Sequence, residues 1–265
     1  MRSYLVNKKR ILVLGQSFQD FHMLTKDDKI IDGRAKYAYD AYEDSGGIDT
    51  VVRVVKGLDM CDAQPLATSC GKATIINKET PFVYLTHLDA QDTLCVLYGH
   101  IGEVSHIHIS YINLLHDSIR DNLIEMLSRF NITISADLAS SPSSFDFSPW
   151  KDIVNWWIAR DIDLMPVNRG DHEFVIAHNQ HQSTVHNYGK LLYCGNATTL
   201  PESDIANVTG AGDVFAGTFL SHYLSHGGLH HAIDCAHAEA TDAVKYRANA
   251  GRFTNVPIWG AKHEV

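Results

Sequence analysis

Short apolar runs alternate along this chain with stretches of helical hydrophobic periodicity, and that alternation is the strongest limit on how it can fold. Ile11-Leu12-Val13-Leu14, ending at Gly15, reads as a strand buried on both faces. Gly46-Gly47 breaks the chain, and Ile48, Val51, Val52, Val55 and Leu58 then recur at helical spacing. Thr74-Ile75-Ile76 and Phe82-Val83-Tyr84-Leu85 flank the turn formers of 77–81, which predicts a hairpin. Ile107 and Ile109 mark another strand, Ile119, Leu123, Met126, Leu127 and Phe130 a helix, and Ile132-Thr133-Ile134-Ser135 a strand again. The Ser/Pro-rich segment 140–149 reads as a loop, Asp163-Leu164-Met165-Pro166 as a strand end, and Asp171 to Ala177 as a short helix. Phe215, Phe219, Leu220, Tyr223 and Leu224 form a strong helix stopped by Gly227-Gly228. Leu229, Ala232, Ile233, Ala236, Ala243 and Val244 form a last helix ending near Gly251. Such a pattern predicts an α/β domain with a mainly parallel sheet. The half-exposed strand at 34–44, joined by 74–86, suits a small separate sheet.

A length of 265 residues fits a single domain over 1–265 with one small subdomain. The formal net charge of −9 argues against a nucleic-acid backbone or an anionic membrane as the main partner. No apolar run approaches the length of a spanning helix, and residues 1–14 lack the apolar stretch and cleavage site of a signal peptide. Cys61, Cys70, Cys95, Cys194 and Cys235 are odd in number, widely spaced and without a CxxC pair, the usage of a reducing cytoplasm.

The chemistry concentrates in Asn207-Val208-Thr209-Gly210-Ala211-Gly212-Asp213, which runs straight into the helix that begins Val214-Phe215-Ala216-Gly217. A turn of small residues at a helix start lets an anion approach bare N–H groups, and the helix dipole favours its charge. Asp213 stands in the same turn. Its plain reading is a helix cap. Beside an anion hole, the same carboxylate can take the proton of an attacking hydroxyl. A dinucleotide fingerprint would need Gly or Ala where Phe215 stands, and Ser69-Cys70-Gly71-Lys72-Ala73 lacks the first glycine and the hydroxyl of a P-loop.

Thr209-Gly210-Ala211-Gly212-Asp213-Val214-Phe215-Ala216-Gly217 resembles the C-terminal signature of the ribokinase-like, PfkB-type carbohydrate kinases. The strand through Gly15 to Asp20, the helix-opening pair Gly46-Gly47, and Asn168 followed by Asp171 fall in the family's order. The resemblance implies a ribokinase-like three-layer α/β sandwich with a small β lid at 34–44, and an ATP-dependent kinase of a small carbohydrate or similar alcohol. It implies Asp213 as catalytic base, with Gly210, Ala211 and Gly212 as the anion hole. Thr209, Asn168 and Asp171 would bind the nucleotide, with Mg²⁺ held through water by Asn168 and Asp171. Asp20, Gly46 and Gly47 would face the acceptor, and the lid would make a homodimer contact.

The sequence also departs from the family pattern. Val51 stands where an asparagine usually reaches a substrate hydroxyl, so acceptor binding should differ, with Asp49 as a substitute. Asn207 replaces an acid. Leu58 to Thr74 is too short for a strand–helix unit of the sheet. His186-Asn187-Tyr188-Gly189-Lys190 is all that is left of a Thr-x-Gly-x-x-Gly turn. These departures leave two alternatives: a non-catalytic binding or regulatory relative, and a kinase of a nucleoside or vitamin-like alcohol. Among the other constellations, His222, His226, His230, His231, His237 and Cys235 read as a solvated face. His106 and His108 read as a strand end at the site's rim, and Trp150, Trp156 and Trp157 as packing.

Overall fold

Ile11–Leu14 opens β1 (Arg10–Thr25), which lies between two parallel neighbours, β3 (Asp62–Ile76) and β5 (His106–Ile109). This is seen in a computed structural model that describes residues 8–25, 38–76, 79–138, 145–159, 174–187, 190–205 and 208–245. Beyond β5 the sheet continues in parallel through β6 (Thr133–Leu138), β7 (Trp156–Ala159) and β8 (Phe174–His178). An antiparallel hairpin of β9 (Gln182–Asn187) and β10 (Lys190–Asn196) finishes that side. On the other side β4 (Glu79–His87) folds back antiparallel on β3, and β2 (Ala38–Gly47) folds back on the outer part of β1. Among the described residues this makes one ten-stranded sheet in the order β10-β9-β8-β7-β6-β5-β1-β3-β4, with β2 on β1.

The helices are α1 (Ile48–Leu58), α2 (Ala90–His100), α3 (Asp117–Leu127), α4 (Ala211–His226) and α5 (Leu229–Lys245). Strand alternation sorts the core between them. Leu12, Leu14, Ile107, Ile109, Ile134 and Trp157 point to one face, where Leu97 of α2 and Ile119, Leu123 and Leu127 of α3 cover them. Ile11, Val13, Trp156, Ile158, Phe174 and Ile176 point to the other, under Val51 and Val55 of α1, Phe215 and Phe219 of α4, and Ala232 and Ile233 of α5. Each such side chain contributes roughly 1.5–3 kcal/mol on burial, so both faces must be covered and three layers result. Trp150, Trp156 and Trp157 are all buried packing residues.

The predicted strand, Gly-Gly break and helix of 38–58 are present, as are the hairpin of β3 and β4 and the helices at 119 and 215. Residues 34–37, the strand end at 163–166, and Gly251 lie outside the described residues. One expectation is corrected: Phe174–Ala177 is not helical but lies in β8, a continuous buried run that fills a place between β7 and β9. The predicted loss of a strand–helix unit after Leu58 is half right. β3 supplies the strand, and no helix stands between α1 and α2 among the described residues. β1 and β3 pair in register from Arg10↔Asp62 to Gly15↔Ala67, then Gln16↔Ser69, so Thr68 is a bulge residue. No described helix is long and apolar enough to cross a membrane. All five cysteines are free thiols.

Candidate active site

The sequence signature forms the tight entry to α4. Gly210 caps the helix with φ +79°, a left-handed conformation natural to glycine, and no side chain caps the first turn. Val214 N–H closes the first helical bond onto Gly210 O at 2.9 Å. Ala211 N–H is already given to Val208 O at 3.2 Å, which leaves Gly212 N–H without a backbone acceptor among the described residues. Thr209 is exposed at the turn. An anion at this turn would therefore find Gly212 N–H available before Ala211 N–H.

A cleft of about 460 Å³ opens beside this turn, lined among others by Ala211, Gly212, Phe215, His178, His237 and Thr241. That volume is in the range of small-ligand sites. Phe215, the residue that breaks a dinucleotide fingerprint, is held in place by rings on two sides. His178 stacks on it at 3.9 Å, and His237 meets it edge-on at 5.2 Å. His237 is itself fixed by Ser183 Oγ at 2.6 Å, and burial lowers its pKa against a smaller opposing effect of Asp234.

Asp213 follows in the first turn of α4 and is almost fully buried, at 1% exposure. Tyr111, just past β5, donates its hydroxyl to both carboxylate oxygens, at 2.8 and 2.9 Å. Tyr111 holds φ +55°, rare for a non-glycine, and its N–H donates to Asp137 Oδ1 at 2.6 Å. Behind it the strands that face α4 carry a polar row, buried except for Thr133 at its outer end. Thr133, His106, Ser135 and His108 are joined by contacts of 3.0, 2.8 and 2.8 Å, and His108 Nε2 lies 3.8 Å from Asp137 Oδ2. His106 also stacks on Trp156 at 4.8 Å. Desolvation first, and the nearness of His108 second, hold His106 well below the usual imidazole range. The pair expected at the rim is therefore internal, since both rings are fully buried.

On the other side of Tyr111 stands the predicted acceptor group. Phe18 of β1 approaches Tyr111 with ring centroids 6.3 Å apart, and Phe18 pairs across the strands with Gly46. Asp20 is buried against Gly46, where any Cβ would come within 2.5 Å of its Oδ2. Gly47 caps α1 at φ +63°. Asp20, Gly46 and Gly47 are thus brought together, and Tyr111 links their strand to Asp213. Val51 is fully buried under α4 and takes no part, and Ser17 donates to Asp49, which ties that carboxylate to β1. Asn168, Asp171 and Asn207 lie outside the described residues. Tyr111 escaped the sequence reading. Its only signal was a tyrosine two residues past a strand end.

With this geometry in hand, solved structures of low identity match along nearly the whole chain. An adenosine kinase from Sinorhizobium meliloti superposes with a TM-score of 0.68 at 16% identity, over 92% of this chain and 99% of that one. A ribokinase from Giardia lamblia gives 0.67 at 12% identity, over 93% and 96%. The microbiome-derived acarbose kinase Mak1 gives 0.66 at 15% identity, over 94% and 96%. The fold is ribokinase-like. Residues 191–251, which include the signature turn, α4 and α5, match the pfkB family carbohydrate kinase profile. The ribokinase-like, PfkB-type resemblance read from Thr209–Gly217 is therefore borne out. No curated protein matches by sequence.

Proposed function

We propose that the protein is an ATP-dependent kinase that phosphorylates a hydroxyl of a small carbohydrate, with Asp213 as general base. The observation that carries this reading is the Tyr111 hydroxyl on Asp213. A buried carboxylate at a helix start already accepts a hydrogen bond from an O–H group, the contact from which it would take the proton of an acceptor alcohol. The similarity to a ribokinase, an acarbose kinase and an adenosine kinase supports the same reaction class.

The placement of the groups supports the following steps. The nucleotide lies in the cleft over Phe215, its terminal phosphate toward Gly212 N–H and the positive end of α4. The acceptor enters from the side of Asp20, Gly46 and Gly47 and displaces the Tyr111 hydroxyl. Asp213 takes the acceptor proton while the alcohol oxygen bonds to the γ-phosphorus. The bond from that phosphorus to the bridging oxygen breaks, and ADP leaves. Mg²⁺ would neutralise the phosphate charge, and Asn168 and Asp171 would hold it through water. Strand β2, with the outer part of the β3–β4 hairpin, would form the lid that excludes water and the surface for a homodimer.

One observation favours a second reading, a non-catalytic relative: the same Tyr111 hydroxyl occupies the place an acceptor needs. Release of ADP is to be measured with Mg-ATP against a panel of sugars, nucleosides and vitamin-like alcohols. Turnover with any acceptor, lost in Asp213→Asn while nucleotide affinity stays within a few-fold, is the expected result. Unchanged turnover in Asp213→Asn overturns the mechanism, and no turnover with any acceptor favours the binding protein.

A further inference from the structure

The helices α4 and α5 meet at Gly227-Gly228, and near that junction three metal-binding side chains converge. His222 comes from the last turns of α4. His231 and Cys235 stand four residues apart on one face of α5. One ligand atom from each lies within 4.8 Å of the others. Cys235 Sγ is 3.7 and 3.8 Å from the two ring nitrogens of His231, and the rings of His222 and His231 meet edge-on at 5.3 Å.

Tetrahedral zinc, with bonds of about 2.0–2.3 Å, places its ligand atoms about 3.3–3.8 Å apart. The Cys235–His231 edge already has that length. His222 has about 1 Å to close, within reach of a side-chain rotation. A second observation points the same way. Nδ1 of His222 is shielded from solvent and has no hydrogen-bond partner, a costly state that a metal bond would relieve. Of the neighbouring groups, His230 and Asp234 have other partners and His226 stands farther off. His230 stacks on Tyr193 at 4.2 Å, Tyr193 donates to Asp234 at 2.7 Å, and the His226 ring is 6.4 Å from that of His222.

We propose that His222, His231 and Cys235 form a zinc site with three protein ligands and a fourth position open to water. Two imidazoles and a thiolate suit a borderline-soft divalent ion and exclude the oxygen-seeking Mg²⁺ and Ca²⁺. His222 lies nine residues beyond Asp213 on the same helix, roughly 13 Å at 1.5 Å per residue, so this site is separate from the proposed phosphoryl-transfer centre. Its bound ion clamps α4 to α5 and rests on no assumption about kinase activity.

The test is a cobalt titration of the metal-free, full-length protein, with zinc as competitor. One saturable site per chain is expected, with the near-ultraviolet band of thiolate-to-cobalt charge transfer. Cys235→Ser should remove that band, Cys70→Ser and Cys95→Ser should leave it, and His222→Gln should weaken binding at least about tenfold. Zinc should also protect Cys235 of the unaltered protein from alkylation while Cys70 and Cys95 react. Weak binding at many equivalent sites, a band that survives Cys235→Ser, unchanged affinity in His222→Gln, or equal alkylation of Cys235 with and without zinc would each overturn the site.

Discussion

Replacing Tyr111 by Phe removes one oxygen from the centre of the proposed site and leaves the ring where Phe18 meets it. The lost hydroxyl gives its single proton to both oxygens of Asp213, at 2.8 and 2.9 Å. A hydrogen bond to an ionised, buried group contributes about 1.5–3 kcal/mol. In the native protein an acceptor must break that bond before its own hydroxyl can reach Asp213. In Tyr111→Phe it does not, so the acceptor KM should fall by about 10- to 100-fold, at about 1.4 kcal/mol per factor of ten. The same loss leaves the buried carboxylate without this donor, so the free protein should be less stable by about 1–3 kcal/mol, a difference the bound acceptor restores. ADP-release kinetics and urea denaturation, each with and without acceptor, read both quantities. A Tyr111→Phe protein with an unchanged or higher KM and a much lower kcat would refute the displacement argument, and would mean that the phenol works as part of the reaction.

Other outcomes follow from the same structure. Asp213→Asn should reduce kcat by about 10²–10⁴-fold, the contribution of a positioned base, and this is read at saturating ATP and acceptor. Gly47→Ala places a Cβ 2.2 Å from Gln16 O at φ +63°, so it should cost more than about 2 kcal/mol in urea unfolding. Gly102→Ala, with nothing within 4 Å of the new carbon, should stay within about 0.5 kcal/mol of the parent. Acid should destabilise the fold through His106. Its native pKa lies well below the ordinary 6.5, so below pH 6.5 the unfolded chain binds the proton and the folded chain does not. Stability is then full above pH 6.5 and falls as pH drops toward the native value, by at most about 1.4 kcal/mol per unit for this group. Urea midpoints from pH 7.5 to 5 should show the decline, and His106→Asn should flatten it.

What could be read from the residues was whatever local chemistry dictates. Ile11–Leu14, Gly46-Gly47 and Thr209–Gly217 each fix their own conformation, and each is found where expected. Phe174–Ala177 misled because a short apolar run has no period of its own, and only the gap between β7 and β9 makes it a strand. α2 also escaped, since only Thr93 and Leu97 of its residues are buried, too few for a stripe. His106 and His108 read as a rim pair because alternation says that they share a face but not which face. The sheet turns them inward beneath α4. Tyr111 meets Asp213 from 102 residues away, which no spacing rule connects, and His222 joins His231 and Cys235 through the turn at Gly227-Gly228, whose angle the spacing alone does not give.

The bulge at Thr68 bears on how the far end of the sheet can move. β1 and β3 pass through it without a break, side by side as far as Met23↔Ile76. A body carried on two continuous ribbons cannot swing as a door does on a slack joint; it must flex as a leaf spring does, and the compliance gathers where the ribbons slip register. That place is Gly15, whose α-carbon leaves no room for a side chain against Ser110 O, the carbonyl next to Tyr111. The slip in register and the tight approach of Gly15 to Ser110 O thus fall at one level of the sheet, one residue from the phenol that meets Asp213.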